Sequence, residues 1–273
     1  MRTVLVFGAS GAVGRYLLPL LADAHYKVSP VSRDPHAGWL AGDLQDVRKD
    51  WPAADIVISL GPLDAFAAWL ERQPHAPQRL IALSSMSAKS KALSPDRAER
   101  DLAERLRAAE ARLFGYSAAR GIACTIFRPT LIYGAGTDRS LAPIARFARR
   151  WHLMPIPLGA IGLRQPVHAA DLADACTAVI DLSGTYAKTY ALGGGERLTF
   201  AALLQRLRSA QRGFVLPVPV PLAVLRLGRI SPGVLARLRE PLVADNAAAL
   251  RDFSYAPRAF IAADVLPDAS VAR

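Results

Sequence analysis

Thr3-Val4-Leu5-Val6-Phe7-Gly8-Ala9-Ser10-Gly11-Ala12-Val13-Gly14 decides the fold. The first five residues are β-branched or apolar, the composition of a strand buried on both faces of a parallel sheet. The next seven space their glycines as GxxGxxG. Val13–Ala24 then places Val13, Tyr16, Leu17, Leu20 and Leu21 on one face of a helical period. A strand, a glycine turn and an amphipathic helix in this order form the setting in which a loop cradles a dinucleotide. Gly8 permits a sharp exit from the strand, Gly11 lets backbone approach a pyrophosphate, and Gly14 lets the helix lie close to the sheet. The unpaired N–H groups of the helix start would face the anion. Gly8, Ser10, Gly11, Ala12, Val13 and Gly14 are the expected cofactor-binding set; a tight turn without a ligand is the plainer alternative.

Outward from this motif, strands alternate with helices. Strands are expected at Lys27–Val31, Leu40–Gly42, Asp55–Leu60, Arg79–Leu83 and Ala123–Phe127. A long charged helix is expected over Pro95–Phe114, with Ser94 as its cap and Gly115 as its stop. The alternation predicts an α/β chain with a doubly wound parallel sheet, the Rossmann fold. Beyond Gly134 the pattern loosens. Ser140–Arg150 and Asp171–Leu182 read as helices, Pro155–Pro166 as loop or short strand, Thr189–Leu192 as a strand and Thr199–Ala210 as a helix. We expect a dinucleotide-binding domain over 1–155 and a smaller, partly interwoven C-terminal substrate-binding region over 156–273.

The tip of the second strand selects the cofactor. An acidic residue there bonds the ribose hydroxyls of NAD, whereas an arginine suits the 2′-phosphate of NADP. Arg33 holds the tip and Asp34 follows it, so NADP is favoured, with NAD the alternative. Asp43, in Gly42-Asp43-Leu44, falls where it could meet the adenine amine or serve as an ordinary turn aspartate.

Composition limits the function classes. In 273 residues, 52% are hydrophobic and 21% charged, which supports a sizeable core. Two cysteines, Cys124 and Cys176, exclude a disulfide framework and cannot build a zinc site alone, so no metal is expected. With no signal peptide apparent, a reducing cytoplasm is expected. Phe214–Leu238 is apolar but carries Pro217, Pro219, Pro221, Arg226, Arg229 and Pro232. A proline-rich connection followed by a short helix is expected there, a membrane-surface segment is the alternative, and a transmembrane span is excluded. The net charge of +11 favours anionic ligands or acidic surfaces. Its arginines are dispersed and no reading motif is present, so specific nucleic-acid binding is not expected. Nothing in the sequence sets an oligomeric state.

Further stretches complete a pattern: Ser59-Leu60-Gly61-Pro62, Leu83-Ser84-Ser85, Arg128-Pro129-Thr130-Leu131-Ile132-Tyr133-Gly134, Arg164-Gln165-Pro166-Val167-His168-Ala169-Ala170-Asp171, and Gly193-Gly194-Gly195. In this order and spacing the chain resembles the short-chain dehydrogenase/reductase superfamily, in its extended or atypical branch of NAD-dependent epimerase/dehydratase-like proteins. The resemblance implies that Leu60, Gly61 and Pro129 border the cofactor and that Ser85 is the catalytic serine. It also implies that Arg164, four residues before His168, binds a substrate phosphate or nucleotide diphosphate. His168 is expected to hold its loop, and Asp171 to cap a helix over Leu172–Leu182.

The family also uses a Tyr-x-x-x-Lys pair, in which lysine lowers the tyrosine pKa. Glu110 lies eighteen residues before Arg128, the family's spacing, and this register puts Leu102 and Leu106 at the tyrosine and lysine positions. Both leucines share an apolar helix face with Ala109 and Leu113. Tyr116 and Arg120 have the pair's spacing but come fourteen residues too late. Three readings therefore stand: an NADP-dependent oxidoreductase or epimerase-like enzyme with an altered acid–base set, acting on a small phosphorylated or nucleotide-linked substrate; a non-catalytic NADP-binding sensor or assembly factor; and a peripheral, anion-seeking surface protein that uses the basic charge and the Phe214–Leu238 segment.

Overall fold

The computed structural model describes residues 1–45, 51–134, 136, 138, 140–221 and 238–266. Its first half alternates β1 (Thr3–Phe7), α1 (Ala12–Asp23), β2 (Lys27–Ser32), β3 (Leu40–Ala41), β4 (Ile56–Ser59), α2 (Leu63–Leu70), β5 (Arg79–Leu83), α3 (Ser87–Ser90), α4 (Arg97–Arg120) and β6 (Ala123–Pro129). The second half contains β7 (Ile132–Tyr133), α5 (Leu141–Trp151), β8 (Leu153–Leu158), β9 (Leu163–Arg164), β10 (Val167–His168) and α6 (Ala169–Ala178). It continues with β11 (Lys188–Leu192), β12 (Leu198–Thr199), α7 (Phe200–Ser209), β13 (Leu216–Pro221) and α8 (Ala247–Phe253). Seven strands form one parallel sheet in the order β3-β2-β1-β4-β5-β6-β11. The doubly wound Rossmann sheet expected from the alternation is present, and its order reverses between β1 and β4.

Side-chain alternation divides the core. Val4 and Val6 of β1, with Ile58 and Ile81, face α1 and α6. Leu5 and Phe7, with Val57, Leu80 and Ile126, face α2 and α4. This is the two-residue period of a strand buried on both sides. A third cluster of Leu141, Ala145, Met154, Leu203 and Leu207 unites α5, α7 and β8 away from the sheet.

Several boundaries differ from expectation. The long helix is capped by Asp96, which accepts from the Ala98 N–H, and runs through Gly115 to Gly121. Burial of Tyr116 and Ser117 carries it onward, and Gly121 ends it with a left-handed φ of 65°. Ser94 instead donates to Glu99. The helix expected over Leu172–Leu182 starts at Ala169, with His168 as its cap through Nδ1. Asp171 instead accepts from the backbone N–H and guanidinium of Arg258. Leu63–Leu70 forms an unforeseen helix.

The proline-rich stretch is also partly a strand. β13 pairs in parallel with β8, and prolines recur at every second residue of both: Pro155 and Pro157, then Pro217, Pro219 and Pro221. In a two-stranded ribbon only alternate N–H groups face the partner, so prolines at the other positions cost no ladder bond. The short helix expected after it falls on residues 222–237, outside the described residues.

Gly14 tests the packing directly. A β-carbon on it would lie 2.1 Å from the Ala9 carbonyl oxygen, with two more backbone atoms within 2.7 Å. We expect Gly14→Ala to lower stability by about 1–3 kcal/mol, the usual cost of overpacking. Chemical denaturation would measure this; an unchanged midpoint would mean that α1 has slack to move.

Candidate functional site

A cleft of about 700 Å³ opens at the carboxyl ends of the sheet strands, over the strand-order reversal. Gly8, Gly11, Ala12 and Val13 form one wall, Leu60 and Leu83 the floor, and Ser85 and Pro129 the middle. Arg164, Phe200 and Leu242 close the far end.

The first wall is built by backbone. Gly8 has φ 77°, and a β-carbon there would crowd the Leu60 carbonyl carbon at 3.1 Å. Gly11 occupies the cap position of α1 with extended backbone, and no side chain caps the helix. The N–H groups of the first turn are left for an anion, at the positive end of the helix dipole. Ser10 lies outside the cleft lining, and its Oγ accepts from Ser32 Oγ at 2.8 Å, tying the loop to the end of β2. Gly14 packs beneath, against Ala9.

Arg33, Asp43 and Gly61, expected at the cofactor, do not line the cleft. Arg33 is exposed beyond β2, next to exposed Asp34. Asp43 turns one carboxylate oxygen onto the Gln45 N–H at 2.8 Å. Gly61 follows Leu60 and faces Leu44, whose Cδ1 would lie 3.5 Å from a β-carbon placed there.

Ser85 lies in the middle of the cleft, half-buried, with Oγ accepting from the Ser87 N–H at 3.1 Å. Behind it, Ser84 donates to Glu110, and Glu110 holds Arg128 through both carboxylate oxygens. The Glu110 carboxylate raises the Arg128 pKa. This buried pairing joins α4 to β6 across eighteen residues and fixes the register of α4. Leu102 and Leu106 are half-buried on that helix, and Leu106 packs on the core cluster containing Ala109 and Leu113. Neither lines the cleft. Tyr116 is buried in the same core with Arg120 stacked 4.0 Å from its ring, far from the reading that would make them a catalytic pair.

Glu99 reaches the cleft where the leucines do not. It lies on the first turn of α4, accepts from Ser94 Oγ at 2.7 Å and pairs with Lys91 at 3.2 Å. Sequence reasoning missed this pair as a site feature, because it forms only when α3 folds back against α4 and no motif marks it. Asp138, also on the cleft, caps α5 by accepting from the N–H groups of Ser140, Leu141 and Ala142. Arg164 is buried, donates from Nη1 to the carbonyls of Leu163 and Glu240, and lies 5.5 Å over the Phe200 ring. Among the described lining residues there is no tyrosine, histidine or cysteine.

Both cysteines are buried, and burial pushes the Cys124 thiol up to about 11 and the Cys176 thiol up to about 12. Neither is a nucleophile at neutral pH.

No established family model matches the chain. It is 26% identical to the mitochondrial NADH dehydrogenase [ubiquinone] 1 alpha subcomplex subunit 9 of Dictyostelium discoideum, over 74% of this chain and 62% of that protein. The subunit of the same name from Arabidopsis thaliana is 26% identical over 92% of this chain and 73% of that one. Among solved structures, RMD from Pseudomonas aeruginosa complexed with NADPH superposes with a TM-score of 0.70, at 17% identity and covering 97% of both chains. The protein MoeE5, in complex with UDP-glucose and NAD, gives 0.71 at 18% identity over 96% of both. The chain shares the Rossmann fold of these NADPH- and NAD-complexed proteins over nearly its whole length.

His168 offers a test of how this region is held. It is buried, with Tyr16 and Tyr133 edge-on at 5.3 and 5.0 Å and Asp264 3.5 Å from Nε2. Burial holds its pKa below the usual 6.5 despite that carboxylate. The unfolded chain then takes up a proton below pH about 6.5 that the folded chain refuses. We expect stability to fall as pH drops from 7.5 to 5.5, and His168→Asn, which keeps a capping acceptor, to flatten that slope. Thermal unfolding across this range measures it; parallel slopes would remove His168 as the cause.

Proposed function

We propose that this chain binds NADP(H) in the cleft and retains it as a structural or sensing ligand, without the rapid turnover of the enzymes whose fold it shares. One observation carries the reading. Gly8, Gly11 and an uncapped α1 start line the cleft, which supports dinucleotide binding, while Glu110 and Arg128 pair at the spacing that, by resemblance, assigns Leu102 and Leu106 to the proton-relay positions. Leucine neither donates nor accepts a proton.

Gly8, Gly11, Ala12 and Val13 would hold the pyrophosphate against the helix start, with Leu60 and Pro129 on either side of the rest. Arg33 would meet the 2′-phosphate, and Asp43 the adenine edge. When bound, the nicotinamide would supply or accept a hydride. Ser85 would orient an oxygen beside it. Both curated relatives carry the name of a respiratory NADH dehydrogenase subunit, and the chain spans 62% of the length of one of them. Their names support a role in a larger redox assembly, or in building one. The cleft itself extends past Ser85 to Arg164, where a phosphorylated or nucleotide-linked ligand would compete with two carbonyls for Nη1.

A second reading is favoured by Lys91 and Glu99. Their carboxylate–ammonium pair faces the same cleft as Ser85 and could handle a proton slowly in a surviving oxidoreductase.

Fluorescence titration should show tighter binding of NADPH than NADH, and Arg33→Ala should weaken NADPH roughly tenfold, as for loss of one charge-assisted contact. Equal affinities, or a preference untouched by Arg33→Ala, would reject the 2′-phosphate assignment.

Turnover separates the two readings. Across alcohols, ketones and nucleotide sugars, hydride transfer should be absent or about 10²–10⁴-fold below that of a relay-bearing reductase. Ordinary rates would overturn the non-catalytic reading. If those rates collapse in Ser85→Ala and Glu99→Gln while NADPH affinity holds, the enzyme reading takes its place.

A further inference from the structure

The positive charge of this chain is unevenly placed. Residues 139–170 contain five arginines and no acidic residue, and residues 197–239 contain eight arginines and none. These two stretches hold more positive charge than the whole chain's net +11. The fold joins the described parts of the two stretches, because β8 from the first pairs with β13 from the second; Arg139, Arg226, Arg229 and Arg237 lie outside the described residues, and Arg164 is buried at the cleft.

Exposed aromatic and aliphatic side chains lie at the same join. Trp151 is 59% exposed, Phe214 75% and Phe147 45%. Phe147 and Trp151 sit one turn apart on α5 with ring centroids 6.5 Å apart. His152, next to Trp151, contacts the Phe214 carbonyl through Nδ1 at 3.3 Å, and the Leu216 N–H donates to the His152 carbonyl. Leu153 and Leu216, paired across the ribbon, are both exposed. Arg146, Arg149 and Arg150 are exposed beside the rings, with the Arg150 guanidinium 5.5 Å from the Trp151 ring. Some of the charge is spent elsewhere: Arg206 pairs with Glu196, and Arg208 donates to the Val215 carbonyl.

We propose that this face docks on the surface of an anionic phospholipid bilayer, with Trp151, Phe147 and Phe214 entering the headgroup boundary and the α5 arginines meeting lipid phosphates. Charge complementarity argues for it: each arginine near an anionic leaflet adds to attraction, and no carboxylate in either stretch opposes it. The side-chain chemistry agrees, since aromatic rings flanked by arginines on one helix face suit an interface with an apolar interior and a charged rim. Nucleic acid would use the arginines but would leave Leu153 and Leu216 in water. Among the described residues no helix is long and apolar enough to cross a membrane, so the contact is peripheral. The face lies apart from the cleft, so the inference stands or falls independently of the cofactor.

The test is co-sedimentation of the full chain with phosphatidylcholine vesicles and with vesicles also containing phosphatidylglycerol. The expected result is binding to the anionic vesicles alone, with Trp fluorescence quenched by brominated acyl chains in wild type and far less in Trp151→Phe. Arg149→Glu with Arg150→Glu should weaken binding more than about tenfold, as should Trp151→Ser with Phe214→Ser. NADPH affinity and circular dichroism should be unchanged in both, which separates lost docking from lost folding. Failure to bind either vesicle, or binding that survives both double variants, overturns the proposal. So does binding to duplex DNA or polyglutamate as tight as to vesicles at the same salt, which would show charge alone at work.

Discussion

The approach of α1 to the sheet is the constraint on which the cleft depends. With a hydrogen in place of a side chain at Gly14, the helix rests against the Ala9 carbonyl. That contact leaves the helix start beside the gap where the strand order reverses. Gly8 then turns the chain within reach of Leu60, and the first-turn N–H groups open into the cleft. Val13, Leu17 and Leu21 bury the helix against α6 and the sheet, so hydrophobic packing and anion geometry are set by one placement.

A second constraint sits at the other end of the sheet. Arg79, almost wholly buried, donates to the carbonyls of Val179 and Ile180 just beyond α6, to Leu80 and Ala123, and to Thr125 Oγ1. Burial lowers its pKa, and these partners are neutral oxygens rather than carboxylates. Carbonyls at a helix carboxyl end carry partial negative charge, which offsets the desolvation of the guanidinium. Since α6 packs on α1, this buried cation also anchors the helix that backs the glycine loop.

Much of this was legible from residue pattern. β1 and α1 show their periods plainly, and the Glu110–Arg128 spacing, read only as a register, turns out to be a contact between the two side chains. What was illegible depends on contacts distant in sequence. Asp171 looks like a helix cap, but Arg258, 87 residues away, claims its carboxylate, and the cap falls to His168. Gly115 looks like a stop, but burial of Tyr116 and Ser117 outweighs the roughly 1 kcal/mol a helical glycine costs. The alternating prolines of 216–221 read as loop because proline usually breaks strands; only the pairing with β8 shows that the missing N–H groups are the ones a ribbon leaves unused. Lys91 and Glu99 carry no motif at all.

The glycine turn and the α4 leucines lie on different elements, so on the proposed function cofactor binding would not depend on a proton relay. The proposed pyrophosphate cradle would be backbone from the β1–α1 turn. Its shape rests on glycines and on packing against the sheet. The relay would be side chains on α4, whose register is held by Glu110 and Arg128 whatever occupies positions 102 and 106. Replacing those two residues by leucine leaves the cradle intact, and Leu106 adds apolar contact to the core behind it. On the proposed function, the glycine loop and the leucines would act separately, the loop holding a dinucleotide and the leucines offering no proton relay beside it.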